Sequence, residues 1–302
     1  MTRPFFLFLS RQPRIRKWME TSETARTLTR RFVAGETLEE ALEVCRRLQK
    51  DGFLSSLDHL GENVRSIEEA ASARDAYLDA LDRLRERGLP STISLKLTQM
   101  GLDFSEEACI ENLRALVRRA SVAGTHIEVD MESTAYTDRT LDVVEKIASE
   151  CGCVRAVIQS YLFRSAADIQ RLNRVRIPVR LVKGAYLEPG SAAFAHKIEV
   201  DRNYLALMKT LVDQGVNPAL ATHDERILGE ALRYARERGM RKDQFEFQML
   251  FGIRRDLQRR LADQGYRVRV YIPYGTAWYP YLMRRLAERP ANMLFLLRNL
   301  FR

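Results

Sequence analysis

The 302-residue chain lacks most of the short patterns that declare a chemistry outright. Its four cysteines, Cys45, Cys109, Cys151 and Cys153, form no CxxC pair, and Cys151-Gly-Cys153 has no second pair with which to complete a zinc site. Reduced thiols of a cytoplasmic protein are the expectation. The four histidines, His59, His126, His196 and His223, are far apart and never reach HxxxH spacing, so no metal site is expected. No two of the 15 glycines stand in GxG spacing, which argues against the glycine-rich first turn of an open doubly wound sheet. Low-complexity tracts are missing too, which argues against disorder. The apolar segment Pro4-Phe-Phe-Leu-Phe-Leu9 is too short for a signal-peptide core or a membrane span. With Arg11, Arg14, Arg16 and Lys17 behind it, it either lies on an anionic membrane surface or packs against the body of the domain.

What is present is a substantial core and a basic surface. Hydrophobic residues make up 46% of the chain, and 49 Lys and Arg against 40 Asp and Glu leave a net charge of +9. Such a surface attracts acidic partners. The excess is spread over helical stretches such as Arg233 to Arg241 and Arg254 to Arg260, as on solvated helix faces, and no recognised nucleic-acid module accompanies it.

Residues from about Arg14 to Gly52 read as two helices, the second opened by the capping-box pattern Thr37-Leu-Glu-Glu40. From there the pattern alternates. Strands are predicted at Phe53 to Leu60, Ser91 to Leu97, Thr125 to Met131, Val154 to Ser160, Val179 to Ala185, Ala219 to Thr222, Gln244 to Leu250 and Val268 to Pro273. Helices are predicted between them, including Ser66 to Gly88, Ser105 to Val122, Ala192 to Gln214 and Glu225 to Arg238. Pro90, Pro178 and Pro218 each stand just before a strand, where a helix must already have ended. Eight strands alternating with helices in this length predict a (β/α)8 barrel, residues 53–302, behind a helical N-terminal extension, residues 1–52.

In such barrels the site lies at the carboxyl ends of the strands. The polar residues there are Asp58, His59, Lys96, Asp130, Glu132, Gln159, Lys183, His223, Gln248 and Tyr271, with Arg180 inside the fifth strand. A charge within an apolar strand needs a partner, and a buried Lys96–Asp130 pair is expected, either as a plug or as part of a site. Beyond the last strand, Tyr281, Arg284 and Arg285 share one helix face. By spacing alone the arginines are either a solvated doublet or a clamp for a carboxylate.

The stretch Tyr271-Ile-Pro-Tyr-Gly-Thr-Ala-Trp-Tyr-Pro-Tyr-Leu-Met-Arg-Arg-Leu-Ala-Glu288 resembles the C-terminal signature of proline dehydrogenases. Arg180-Leu-Val-Lys-Gly-Ala-Tyr186 resembles that family's flavin-binding strand. Ser94-Leu-Lys-Leu-Thr-Gln99, Glu128-Val-Asp-Met-Glu132, Ala221-Thr-His223 and Phe245-Glu-Phe-Gln-Met-Leu-Phe-Gly252 also fit, in order, from about Ser55 to Asn292.

The resemblance implies a distorted barrel with its last helix over the strand ends, non-covalent FAD, and oxidation of L-proline to Δ1-pyrroline-5-carboxylate. It implies that Lys96, Arg284 and Arg285 hold the proline carboxylate and that Tyr271, Tyr281 and Leu250 line the pocket. Asp130 matches an active-site acid that would orient Lys96, and Arg180 would stand near the flavin N5. Met131, Gln159, Lys183, Gly184, Ala185, Thr222 and His223 would bind the rest of the cofactor. Tyr271 favours proline over hydroxyproline. A membrane quinone as acceptor is implied as well, which makes Phe5 to Leu9 and the tail Met293 to Phe301 candidates for peripheral contact at the inner face of the cell membrane. No second domain for the product is seen, so a separate pyrroline-5-carboxylate dehydrogenase is expected. The competing readings are a barrel flavoprotein of the methylenetetrahydrofolate reductase type, which would need a folate surface, and a basic nucleic-acid-binding barrel without flavin colour.

Overall fold

The computed structural model describes residues 30–61, 64–279 and 281–283. The first expected N-terminal helix, Phe5 to Leu9, Arg284, Arg285 and the tail Met293 to Phe301 lie outside the described residues. Eight strands alternate with helices: β1 (Leu54–His59), β2 (Ser91–Leu95), β3 (Ile127–Val129), β4 (Val154–Gln159), β5 (Val179–Val182), β6 (Ala219–Ala221), β7 (Glu246–Leu250) and β8 (Arg267–Tyr274). Each pairs in parallel with the next, and β8 pairs with β1, so the sheet closes on itself as the sequence predicts. The helices are α1 (Leu38–Lys50), α2 (Ile67–Glu86), α3 (Glu106–Val122), α4 (Thr137–Cys151), α5 (Ser165–Arg174), α6 (Lys197–Gln214), α7 (Glu225–Glu237) and α8 (Arg255–Asp263).

Helix starts follow from capping residues that satisfy otherwise orphaned backbone donors. Thr37 and Glu40 form the expected capping box of α1, Ser66 and Ser105 accept from Glu69 and Ala108 at the starts of α2 and α3, and Asp224 accepts from Arg226 at the start of α7. α1 turns Ala41, Leu42, Val44 and Cys45 inward and packs against β1 and β8, covering the seam at which the barrel closes. Its cysteine and Cys109 are buried, and burial pushes the Cys109 thiol up to about 12, so it packs as an inert hydrophobe.

One helix begins later than its sequence predicts. Residues 192–194 do not enter α6, because their backbone pairs with the segment after β4. Phe163 N–H donates to Ala192 O at 3.0 Å, Phe194 N–H donates to Tyr161 O at 2.8 Å, and Leu162 and Ala193 form an antiparallel bridge. The long β5–α6 loop then reaches further back. Glu188 accepts from the backbone and hydroxyl of Thr134, at 2.9 and 2.5 Å, and from the Tyr161 hydroxyl at 3.4 Å.

The chain ahead of α1 lies across the carboxyl ends of β7 and β8. Ala34 N–H donates to Pro273 O at 2.8 Å, and Gly275 N–H donates to Gly35 O at 3.0 Å. Phe32 and Val33 bury with Leu60, Ile253, Trp278, Tyr279, Tyr281, Leu282 and Met283 in a second apolar cluster, separate from the main core. The helical turn that opens after β8 therefore sits over the strand ends. Gly252 makes this approach tight: its φ is +75°, and a Cβ there would stand 1.8 Å from the Arg31 carbonyl oxygen. Gly252→Ala is expected to cost about 2 kcal/mol or more, against about 1 kcal/mol for Gly88→Ala, where φ is +61° and nothing lies within 4 Å. Urea unfolding of the two variants checks this, and equal losses would show that the Arg31 contact carries no weight.

Candidate active site

The parallel register puts Ser94, Glu128 and Arg155 side by side, and likewise Val157, Arg180, Ala219 and Glu246. Ser94, Glu128, Arg155, Arg180 and Glu246 face the lumen, because their side chains meet partners from strands that are not neighbours. Arg180 of β5 donates through Nη1 to Glu128 of β3 at 2.5 Å, to Ser94 of β2 at 3.1 Å and to Gln248 of β7 at 3.1 Å. Arg155 donates to Glu128 and to Glu246, each at 2.7 Å. Arg269 completes the set with bonds to Glu246 at 2.9 and 3.1 Å and to the Ser55 carbonyl at 2.7 Å. Glu128 is 0% exposed and the other charged members no more than 4%. The lumen is thus floored by an ionic layer. Of the floor residues, sequence reading singled out only Arg180 as a misplaced charge. Glu128, Arg155, Glu246 and Arg269 escaped it, although each stands among strand residues at the inward alternation.

Above this floor is the mouth. The Tyr271 hydroxyl of β8 donates to Asp130 at the end of β3 at 2.9 Å, and Arg180 Nη2 contacts the other Asp130 oxygen. The Arg180 guanidinium also lies 5.5 Å from the centre of the Tyr271 ring. Asp130 therefore serves Arg180 and Tyr271, partners that the sequence reading did not assign to it. Lys96 is half-buried one residue past β2, whose last carbonyl, Leu95 O, accepts from Asp130 N–H at 2.8 Å. Leu250 ends β7, where its N–H donates to His223 Nε2 at 2.9 Å and its carbonyl accepts from Gln258 at 3.0 Å. That bond makes His223 Nε2 an acceptor, and so unprotonated. Tyr281 is buried in the cluster above, with Leu250 packed against it.

The remaining expected residues fall on consecutive strand ends. Met131 follows β3 and Gln159 ends β4, where its amide donates to Glu132 O at 2.7 Å. Lys183, Gly184 and Ala185 follow β5, and Thr222 and His223 follow β6 at the start of α7. Lys183 Nζ is held by Asp201 at 2.5 Å and by Asp224 at 3.1 Å. Gly184 has φ +114° and abuts the Tyr161 ring, which leaves no room for a Cβ. The residues expected for cofactor thus line the arc β3 to β6, and those expected for substrate line β7, β8 and β2. Arg284 and Arg285, the pair expected to clamp a carboxylate, are outside the described residues.

A family profile described as proline dehydrogenase matches residues 41–298. Proline dehydrogenase 1 of Bacillus subtilis is 40% identical over 302 residues, covering 100% of both chains. Proline dehydrogenase of Deinococcus radiodurans is 40% identical over 280 residues, covering 91% of this chain and 90% of that one. Among solved structures, proline utilization A from Bdellovibrio bacteriovorus inactivated by N-propargylglycine superposes with a TM-score of 0.82 at 27% identity. It covers 87% of this chain, which spans only 33% of that longer one.

The ionic floor also sets how the fold meets acid. Burial alone would raise the carboxyls of Glu128 and Glu246, but Arg180 and Arg155 beside the first, and Arg269 and Arg155 beside the second, hold both well below the usual 4.5. A carboxyl depressed on folding contributes stability that is present above its unfolded value and is lost as pH falls toward its folded one. Thermal stability should therefore decline as pH is lowered below about 4.5, and Glu246→Gln should flatten that decline while costing about 3–5 kcal/mol at neutral pH. An unchanged acid slope in the variant would place the acid sensitivity elsewhere.

Proposed function

The chain belongs to the proline dehydrogenase family, and from that membership we propose that it oxidises L-proline to Δ1-pyrroline-5-carboxylate with FAD. The observation that carries this reading is the meeting of Asp130, Tyr271 and Arg180 at one point, between the two arcs of strand ends. Lys96, with Arg284 and Arg285 of the matched motif, holds the substrate carboxylate by charge-assisted hydrogen bonds. Tyr271, Tyr281 and Leu250 wall the ring and keep water from it. Asp130 fixes the Tyr271 phenol, which burial and then Asp58 push well above the usual 10, so it stays protonated and a donor.

FAD fits the residues of the other arc. Among the described residues, the buried Arg180 Nε has no hydrogen-bond partner, so it could donate to an acceptor atom of a bound flavin. Lys183, Thr222 and His223 gather near the start of α7, where they would hold the phosphate-bearing part of the cofactor once Lys183 exchanged Asp201 or Asp224 for it. When bound, FAD supplies the acceptor for the hydride that leaves the ring carbon next to nitrogen. The chain supplies orientation, a dry pocket and positive charge. The amine loses its proton first, to water. A membrane quinone takes the electrons onward, and a separate dehydrogenase oxidises the product. Among the described residues no helix is long and apolar enough to cross a membrane.

A yellow purified protein that L-proline bleaches without oxygen is the expected result; a colourless protein that cannot be loaded with FAD would overturn the reading. Arg284→Met or Arg285→Met should raise the proline KM by about tenfold or more while FAD stays bound, because one charged hydrogen-bond partner is lost. An unchanged KM would remove these arginines from the clamp. Removal of residues 1–17 should weaken co-sedimentation with anionic liposomes. Equal binding with and without them would take that segment out of the membrane contact.

A further inference from the structure

We propose that Glu128 is the positioning residue for Arg180: it fixes the guanidinium from below, with help from Ser94 and Gln248, so that the unoccupied Nε faces the cofactor. The inference rests on the flavin reading of the site and names what that site depends on beneath its own surface.

The two oxygens of Glu128 have different partners. Oε1 is taken by the floor: it accepts from Arg155 at 2.7 Å and from Gln248 at 2.8 Å, and His126 stands at 3.4 Å. Oε2 is left for Arg180 at 2.5 Å, with Ser94 at 3.4 Å. The carboxylate therefore cannot rotate toward Arg180 or away from it without breaking its bonds to the floor. Arg180 is confined in turn. Its Nη1 is engaged by Glu128, Ser94 and Gln248, and its Nη2 by Asp130, so the planar fork has one orientation and Nε is the donor left over. A guanidinium on a long side chain has many rotamers, and this arrangement selects one before any ligand arrives. Glu128 itself is fully buried and lies two residues below Asp130 in the strand, so any influence on the reaction passes through Arg180.

The test is a double-mutant cycle on the FAD-loaded enzyme, reading anaerobic flavin reduction by proline, FAD affinity and thermal stability together. Glu128→Gln should slow the limiting reduction rate by about 10- to 100-fold, the cost of a misplaced group, with the proline dissociation constant within about twofold. In an Arg180→Lys background, which keeps the charge but removes Nε and the fork, adding Glu128→Gln should slow reduction no further. A rate within twofold of the parent would overturn the proposal. So would an equal further slowing in the Arg180→Lys background, because Glu128 would then act by supporting the fold alone. If Glu128→Gln does not fold, Ser94→Ala and Gln248→Met carry the same cycle. Each removes one acceptor from Arg180 and should slow reduction severalfold in the parent and not in the Arg180→Lys background; additive losses again overturn it. A parent enzyme that proline does not bleach would mean that the flavin reading itself has failed, which the variants cannot mimic.

Discussion

Everything at the mouth of this barrel rests on a requirement to neutralise charge beneath it. Three arginines and two glutamates share a lumen from which water is largely excluded, and none could be there alone. Replacing such a set by apolar residues of similar volume is often neutral or stabilising in other proteins. Its presence is therefore better understood as specification than as glue. An apolar floor would leave Arg180 free to choose among rotamers, whereas an ionic one fixes the direction of each fork by hydrogen-bond geometry. The formal charge of the floor is +1, and Asp130 at its upper edge brings the group to neutrality. The acid expected at the active centre is also the last member of a network that begins at the opposite end of the barrel.

Much of this was legible in the sequence, and the reason is local. Strands of a parallel barrel are short apolar runs ended by polar residues, and helices are announced by Thr37, Ser66, Ser105 and Asp224 at their caps. Both signals survive without knowledge of the third dimension. Partners do not. Asp130 and Lys96 were matched because they stand at adjacent strand ends with opposite charge. In the structure Asp130 meets Arg180 and Tyr271, from β5 and β8, and only closure of the sheet brings those across the lumen. The floor residues were visible one by one, as Arg155 beside Val154 or Arg269 between Val268 and Val270, but their ion pairs span up to 91 positions. The late start of α6 has a similar cause: residues 192–194 are competent for helix, and a tertiary backbone pairing outbids it.

The segment ahead of the barrel acts as part of it. α1 covers the β8–β1 seam, where the cyclic order of the sheet has to be completed by the most distant pieces of chain. The backbone just before α1 then bonds to Pro273 and Gly275, so the same stretch closes the seam from outside and braces the mouth from above. Among the described residues, the stretch from Phe32 to Lys50 packs as part of the barrel wall and of the cluster over its mouth.

Loops at the carboxyl ends of barrel strands are where such folds usually vary, since a rigid scaffold lets one loop change without the others. The β5–α6 loop has given up that independence. Its backbone pairs with the segment after β4, and Glu188 secures the turn after β3, so three successive strand ends are sewn together by one thread. An insertion or deletion in any of the three would have to be matched in the other two. The loop that gives the site its shape has become as hard to revise as the sheet beneath it.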